Sequence, residues 1–225
     1  MVTTPSARAS HKRQAGFTLI EVLLATTITS VIMGGIVLVT SQLSRSYYSQ
    51  LDGAAVQQES RFALDWIVRT LTSAGNNPNS TLLVTSPCPA AGNTFRAIRR
   101  NPNGDANQDD IRIHSDLNGN GLLGGAATGT CPEANEDVTI ALNTLTSTIT
   151  MDDNNTTAVA AFDMTDSVIS GLTFGYLDCD RAATANDAAV CYVQVAVTSR
   201  TPTVNNNTGQ RTTYTNRAEV RIRTR

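Results

Sequence analysis

The sequence predicts an α+β protein in which one long N-terminal helix packs on a C-terminal antiparallel β-sheet domain. Three observations predict this class: an uncharged apolar run near the N-terminus, a helical apolar pattern that continues beyond it, and β-rich segments after Pro78. The chain has 225 residues, enough for one domain of ordinary size and an appendage. Its sparse aromatic and charged residues favour exposed β structure outside the cytoplasm.

The apolar run predicts a transmembrane helix. From Val22 to Gln42 the chain carries no charge, and about twenty such residues are enough for a helix to cross a hydrocarbon core. Arg8, Lys12 and Arg13 precede the run, so the positive-inside rule places residues 1–16 in the cytoplasm and the rest of the chain outside. Because the run ends without a small-x-small cleavage site, we expect it to be retained rather than removed as a secretory signal.

The helix is predicted to continue as an amphipathic segment over residues 44–75. Seven apolar residues recur at spacings near three to four, which places them on one helical face. They are Leu43, Tyr47, Leu51, Ala55, Phe62, Trp66 and Leu71. Gly75 and then Pro78 follow the last of them, as is typical of a helix C-terminus.

Residues 76–225 are predicted to form a β-rich extracytoplasmic domain. Segments such as "DVTIALNTLTSTITMDD", "VISGLTFGYLD" and "CYVQVAVTSR" are rich in β-branched residues, and clusters of Asn, Asp, Gly and Pro separate them. Near the C-terminus, apolar Ala218, Val220 and Ile222 alternate with charged residues. One face of that strand is therefore predicted to be apolar and the other to face solvent.

The charges are unevenly distributed along the chain. Residues 101–187 contain fourteen acidic residues and two arginines, whereas residues 200–225 contain six arginines and one glutamate. We interpret most of these charges as solvated surface. The alternative is that the acidic middle and the basic end meet, within one fold or between copies.

Four cysteines lie downstream of the apolar run, without a CxxC pair or a Cys/His cluster. An even number on the exported side predicts two disulfides, for which three connectivities are possible. We favour Cys88 with Cys131 and Cys179 with Cys191, because the second pair flanks a loop between two strand-like segments. With only two histidines in the chain, a thiolate or imidazole metal site is not expected.

The segment "GDANQDDIRIHSDLNGNG" contains two partial calcium-loop patterns. The second is followed by Gly121, as such a loop requires, but Ala127 stands at its twelfth position, where a bidentate carboxylate is needed. One hypothesis is a Ca²⁺ site that combines both runs; the other is a set of Asx-rich turns at strand ends. The candidate ligands are Asp105, Asn107, Asp109, Asp116, Asn118 and Asn120. No other cofactor is predicted.

Enzyme chemistry finds little support in the sequence. It contains no GxSxG, HExxH or Walker motif. His114 lies in a strand-like run, and we interpret it as a surface or half-buried residue rather than a general base. The protein is therefore predicted not to be an enzyme. A membrane-tethered hydrolase and a DNA-uptake receptor that contacts phosphates through its basic end are the less favoured alternatives.

Glu21 is the one acid near the start of the apolar run. An acid inside a membrane segment indicates a functional site, because burying an unpaired carboxylate is costly. The alternative is that its carboxylate reaches the lipid headgroups. The surrounding string "KRQAGFTLIEVLLATTITSVI" resembles the type III prepilin signal of type IV pilins and type II secretion pseudopilins. It shares the basic leader ending in Gly, the aromatic first mature residue and the acid five positions into the mature chain.

The resemblance implies how the N-terminus is processed. A membrane prepilin peptidase would cut between Gly16 and Phe17, which separates residues 1–16 as a leader, and would methylate the new amino group of Phe17. Residues 17–43 would then form the transmembrane and filament-core helix. The resemblance also implies that Glu21 pairs with the amino terminus of a neighbouring subunit during assembly, and the Phe17 amine lies one helical turn away.

Beyond residue 40 the resemblance is looser. "QQESRFALDWIVRTLTSAGNNP", "VISGLTFGYL" and "RAEVRIRTR" are similar to PilW-type minor pilins and J-type minor pseudopilins, although Gly34-Gly35 replaces the mid-helix Pro of many major pilins. This implies a minor pilin at the initiating complex or tip of a type IV pilus, or else a minor pseudopilin of type II secretion. The implied partners are other pilin subunits, prepilin peptidase, the assembly platform and a tip adhesin; nucleic acid is not among them. The implied location is the bacterial inner membrane, with the C-terminal domain periplasmic, and then the extracellular pilus or a periplasmic pseudopilus.

Overall fold

One long α-helix, α1 (Leu19–Ser73), opens the described part of the chain. The structure, a computed structural model, describes residues 16–77, 95–119, 135–154, 161–205 and 208–223. Two compact units divide the chain, Met1–Tyr48 and Ser49–Arg225. The first part of α1 therefore belongs to one unit and its last part to the other.

In the first unit, every described residue is exposed. The apolar run forms helix throughout, and by length and composition α1 is able to cross a membrane. An exposed helix that is apolar on all sides needs lipid or other helices around it.

In the second unit, α1 buries a narrow stripe. Its buried residues recur every three or four positions, which is the period of one helical face. They are Gly53, Val56, Ser60, Ala63, Ile67 and Leu71. The predicted stripe was wrong in phase, because Leu51, Ala55 and Phe62 are exposed and only Leu71 is common to the two sets.

Close packing explains why small residues line this stripe. A Cβ atom on Gly53 would lie 2.8 Å from the hydroxyl oxygen of Tyr214. The hydroxyl of Ser60 accepts a hydrogen bond of 2.6 Å from the side-chain amide of Asn216. The helix thus approaches the domain through Gly, Ser and Ala, which a pattern of large apolar residues does not reveal.

The C-terminal domain contains two antiparallel sheets. The first has the order β1-β2-β3-β4-β5 and the second β6-β7-β8, so strands that are neighbours in sequence pair within each sheet. The first sheet consists of β1 (Ile98–Arg100), β2 (Asp110–His114), β3 (Asp137–Asn143), β4 (Thr148–Asp153) and β5 (Phe162–Asp163). The second consists of β6 (Ile169–Leu177), β7 (Tyr192–Arg200) and β8 (Thr213–Arg221). The α+β class is confirmed, with two sheets in place of one.

One hydrophobic core joins α1 to both sheets. Ile67 and Leu71 of α1, Ile140 of the first sheet and Phe174 of the second have no exposed surface and belong to a single cluster. Burying one such side chain contributes about 1.5–3 kcal/mol to stability. The predicted alternation at the C-terminus is also present: Val220 is buried, whereas the charged residues beside it are exposed.

Gly75 ends α1, as the sequence predicts, and its backbone is left-handed with φ +74°. Its N–H donates to the carbonyl of His114 at 3.0 Å. A Cβ atom at this position would lie 2.0 Å from the carbonyl oxygen of Arg223. Gly75 therefore meets two requirements, a positive φ and a close backbone contact.

Gly104 is a matched control for Gly75, because its φ is nearly the same, +75°, but nothing lies within 4 Å of the position that a Cβ atom would occupy there. We expect Gly75→Ala to destabilise the domain by about 2–4 kcal/mol and Gly104→Ala by about 1 kcal/mol, since only the first adds a steric overlap to the backbone strain. Urea unfolding of the full chain in detergent measures both. Equal losses would contradict the close contact at Gly75.

Candidate processing and assembly site

Thr18 and Glu21 form a capping box at the start of α1. Glu21 Oε2 accepts hydrogen bonds from the backbone N–H and the hydroxyl of Thr18, both at 2.9 Å. In return, the Glu21 N–H donates to Thr18 Oγ1 at 3.4 Å. The two residues thus satisfy backbone donors that the first helical turn leaves without an intrahelical partner.

The residues at the proposed cut are accessible. Phe17 is 89% exposed, and nothing lies within 4 Å of the position that a Cβ atom would occupy on Gly16. Both precede Leu19, the first residue of α1, so the peptide bond between them lies outside the helix. An enzyme is able to engage this bond without unwinding a helical turn.

Thr18 is a site residue that was not predicted from the sequence. The signal was present, because a Thr followed three positions later by Glu before an apolar run is the pattern of a capping box. The pattern was interpreted only as part of the prepilin signal. The structure adds a local role for the carboxylate, since Glu21 caps its own helix as well as standing one turn from Phe17.

Four hydroxyl groups in the first part of the apolar run are satisfied within the helix. Thr26 and Thr27 donate to carbonyls three residues earlier, at 3.0 and 2.8 Å. Thr29 and Ser30 donate to carbonyls four residues earlier, at 2.7 and 2.8 Å. Because these donors need no water, this surface can enter lipid or a helix bundle without leaving a polar group unpaired.

Residues 11–37 match the prokaryotic N-terminal methylation motif. The match supports a type IV pilin-like prepilin. No curated protein and no solved structure matches the chain. The matched residues include the Gly16–Phe17 bond, the capping box and the first part of the apolar helix. This prepilin motif implies processing by prepilin peptidase and assembly with other pilins, and it is consistent with anchoring in the inner membrane.

Cys179 and Cys191 form a disulfide, with Cα atoms 5.0 Å apart. It joins the residues after β6 to those before β7 and encloses a short 3₁₀ helix (Asp187–Ala189). Closing a loop of this length contributes about 3 kcal/mol in the chain-entropy account. Cys88 and Cys131, the other predicted pair, lie outside the described residues.

The structure places the two candidate calcium runs at opposite ends of β2, a strand of five residues. In the first run, Asp105 accepts hydrogen bonds from the backbone N–H of Asn107 and the side chain of Asn103, at 2.7 and 3.2 Å. This is an Asx-rich turn. Asp109 is half-buried beside it.

In the second run, Asp116 is fully buried and accepts a hydrogen bond from the N–H of Gly119 at 2.7 Å. Asn118 is exposed, and Asn120 lies outside the described residues. Within the described ranges, no three Asp, Glu, His or Cys side chains converge on a point that would hold a metal ion.

His114 is buried, with 3% exposure, so its interpretation as a surface or half-buried residue was wrong. Its Nδ1 accepts the backbone N–H of Arg96 at 3.3 Å. Nε2 lies 3.5 Å from Asp137 Oδ1. β2 and β3 pair His114 with Asp137 directly, and this register brings the two side chains together.

Asp137 is the centre of a buried ion-pair network. Its carboxylate accepts hydrogen bonds from the guanidinium of Arg112 and the side chain of Asn154, at 2.6 and 3.0 Å. Burial acts to raise the pKa of Asp137, but the hydrogen bonds and charges of Arg112 and His114 outweigh burial and lower that pKa to about 2. The network stabilises the pairing of β2 with β3.

The lowered pKa of Asp137 predicts a loss of stability in acid. Because the folded-state pKa lies below the unfolded value near 4, the contribution of about 2 kcal/mol is complete above pH 4 and disappears as pH falls toward 2. Asp137→Asn should unfold at lower urea concentration at pH 7 and should lose this part of the acid dependence.

Asp65 provides the control, since its ion pair with Arg69 is exposed, with 60% of the Asp65 side chain accessible. Asp65→Asn should change stability by less than about 0.5 kcal/mol at every pH. A pH profile of Asp137→Asn that parallels that of the unmodified protein would contradict the role assigned to this carboxylate.

Proposed function

We propose that the protein is a non-enzymatic minor type IV pilin subunit. Prepilin peptidase cleaves it between Gly16 and Phe17 and methylates Phe17, and the product enters the initiating or tip part of a pilus. The observation that carries this proposal is the prepilin motif at the start of a helix whose apolar part is exposed on every side.

The helix supplies the driving force of assembly. Its large apolar side chains are more than half exposed from Phe17 to Leu43. In the membrane, lipid covers these side chains. In a filament, the helices of neighbouring subunits cover them, and the internally bonded hydroxyls of Thr26 to Ser30 allow close packing.

Glu21 sets the register between neighbouring subunits in this mechanism. Cleavage creates an ammonium group on Phe17, and a neighbouring subunit's ammonium neutralises the Glu21 carboxylate where neither charge is solvated. Oε2 is used by Thr18. Oε1 receives no hydrogen bond from the described residues and is thus the oxygen that we assign to the neighbouring amine.

The partners in this proposal are other pilin subunits, prepilin peptidase, the pilus assembly platform and a tip adhesin. The C-terminal domain lies in the periplasm before assembly. The prepilin motif is common to pilins and pseudopilins, so a minor pseudopilin of type II secretion is the alternative. The location of the assembled protein separates them, since it is extracellular in a pilus and periplasmic in a pseudopilus.

Processing is tested by mass spectrometry of the protein recovered from assembled filaments. We expect a chain that begins with methylated Phe17. Gly16→Val should leave the full-length chain in the membrane, because valine does not fit the position that glycine occupies in the peptidase, and the bond to Phe17 is then not cut. An intact Met1 form in filaments of the unmodified protein would contradict cleavage.

The role of Glu21 is tested by comparing Glu21→Ala with Thr18→Ala. Thr18→Ala removes the cap, at a cost of about 1 kcal/mol, but keeps the carboxylate. We expect Glu21→Ala to lower incorporation into filaments at least tenfold and Thr18→Ala to lower it less than threefold. Immunoblotting of sheared filaments against the membrane fraction measures both. Equal losses would mean that Glu21 acts only as a helix cap.

A further inference from the structure

Among the described residues, β8 is an edge strand whose outer backbone groups have no hydrogen-bond partner. Thr201 N–H donates to Thr212 O, and Ile222 N–H donates to Cys191 O, at 2.9 and 2.8 Å, which continues the ladder between β7 and β8 at both ends. The even-numbered residues of β8 therefore bond to β7. The odd-numbered residues from Thr213 to Arg221 direct their N–H and C=O groups away from the sheet.

The opposite edge of the same sheet is covered. There, the Phe174 N–H donates to the carbonyl of Gln108 at 2.8 Å, and the Tyr176 carbonyl accepts from Thr184 at 3.0 Å. In the first sheet, the edge strands β1 and β5 have only three and two residues. Among the described residues, β8 is thus the one long strand edge without cover, and it offers five outward N–H and C=O pairs.

The inner face of β8 is also incompletely covered. Val193, Val195 and Val197 of β7 are fully buried, with at most 1% exposure. On β8, by contrast, Tyr214 and Ala218 are half-buried. One more strand beside β8 would bring its own alternate side chains against this row and complete its burial.

The outer face of β8 carries arginines that favour an acidic sequence in such an added strand. Arg217 and Arg221 are exposed and have no carboxylate within 4.0 Å among the described residues. Glu219, between them, is engaged by Arg181 and Gln194, both at 3.1 Å. The face therefore presents two unneutralised guanidinium groups four residues apart.

We propose that β8 is a docking site for an extended acidic segment of another protein, which adds as a fourth strand to the second sheet. Two of its carboxylates, four positions apart, lie beside Arg217 and Arg221, and its alternate residues are apolar and cover the row of Tyr214 and Ala218. Main-chain hydrogen bonds supply the affinity, and the arginines supply the selectivity. The site does not depend on filament assembly.

The probe is a labelled nine-residue peptide that alternates valine with threonine or aspartate and carries two aspartates four positions apart. Its control replaces both aspartates with lysine. Fluorescence anisotropy with the full chain in detergent micelles measures binding, and isotope-edited infrared spectroscopy of the peptide carbonyls reports strand pairing. We expect the aspartate peptide to bind at least tenfold more tightly than the lysine peptide. Equal binding of the two, or no binding of the aspartate peptide, would overturn the proposal.

Thr215→Pro and Thr215→Val are the matched variants. Both variants lose the hydroxyl contact with Thr198. Only proline removes the outward N–H of residue 215 and so blocks the strand edge, and β7 does not use that N–H. We expect at least tenfold weaker binding for Thr215→Pro and little change for Thr215→Val. Equal binding of both folded variants would place the peptide elsewhere and overturn the proposal.

The double variant R217E/R221E tests selectivity and remains decisive if Thr215→Pro fails to fold. It should reverse the preference, so that the lysine peptide binds more tightly than the aspartate peptide. An unchanged preference would contradict the role of the arginines. A second copy of this chain could also pair with the β8 edge, and sedimentation of the full chain without peptide tests this. A dimer that Thr215→Pro abolishes would show that the occupant is a second copy and would overturn the proposal that it is a different protein.

Discussion

The packing of Ile67 and Leu71 against both sheets is the contact on which the domain depends. Neither side chain has exposed surface, and each belongs to the cluster that contains the inward residues of the two sheets. The sheets have only three and five strands, and several strands are short. Without the helix, each sheet would expose one apolar face, so the last part of α1 closes the core.

The same helix has two kinds of surface because its two parts have different surroundings. In the second unit its buried stripe includes Gly53 and Ser60, which allow the backbone to approach the second sheet. In the first unit its large apolar side chains are exposed all round. Such a surface is stable only in lipid or among other helices, which connects the physical chemistry of this segment with the prepilin motif that covers it.

Glu21 has a local role in capping its helix and, in the assembly that we propose, an intermolecular one. A carboxylate at the third helical position caps the helix through Thr18, and it also interacts favourably with the positive end of the helix dipole. These interactions orient the group before it meets a partner. In the assembly that we propose, a neighbouring amine then supplies only the charge, since these hydrogen bonds already orient the carboxylate. The outward backbone groups of β8 are oriented in advance in the same way, because pairing with β7 fixes their direction before any partner strand binds.

The features that were predictable from the sequence depend on neighbouring residues: the apolar segment, the helix end at Gly75 and the alternation around Val220. The Thr18-x-x-Glu21 cap has a local sequence signal of the same kind, but it was interpreted only as part of the prepilin signal. The α+β class followed from the apolar segment together with the β-rich segments after Pro78, and the prepilin motif was recognised from the residues around Gly16 and Glu21. Which helical face is buried depends on contacts in the folded domain, because Gly53 and Ser60 carry no hydrophobic signal and are selected by the strands that approach them. The burial of His114 beside Asp137 and the outward direction of the odd residues of β8 depend on strand register, which is set by contacts between residues distant in the chain.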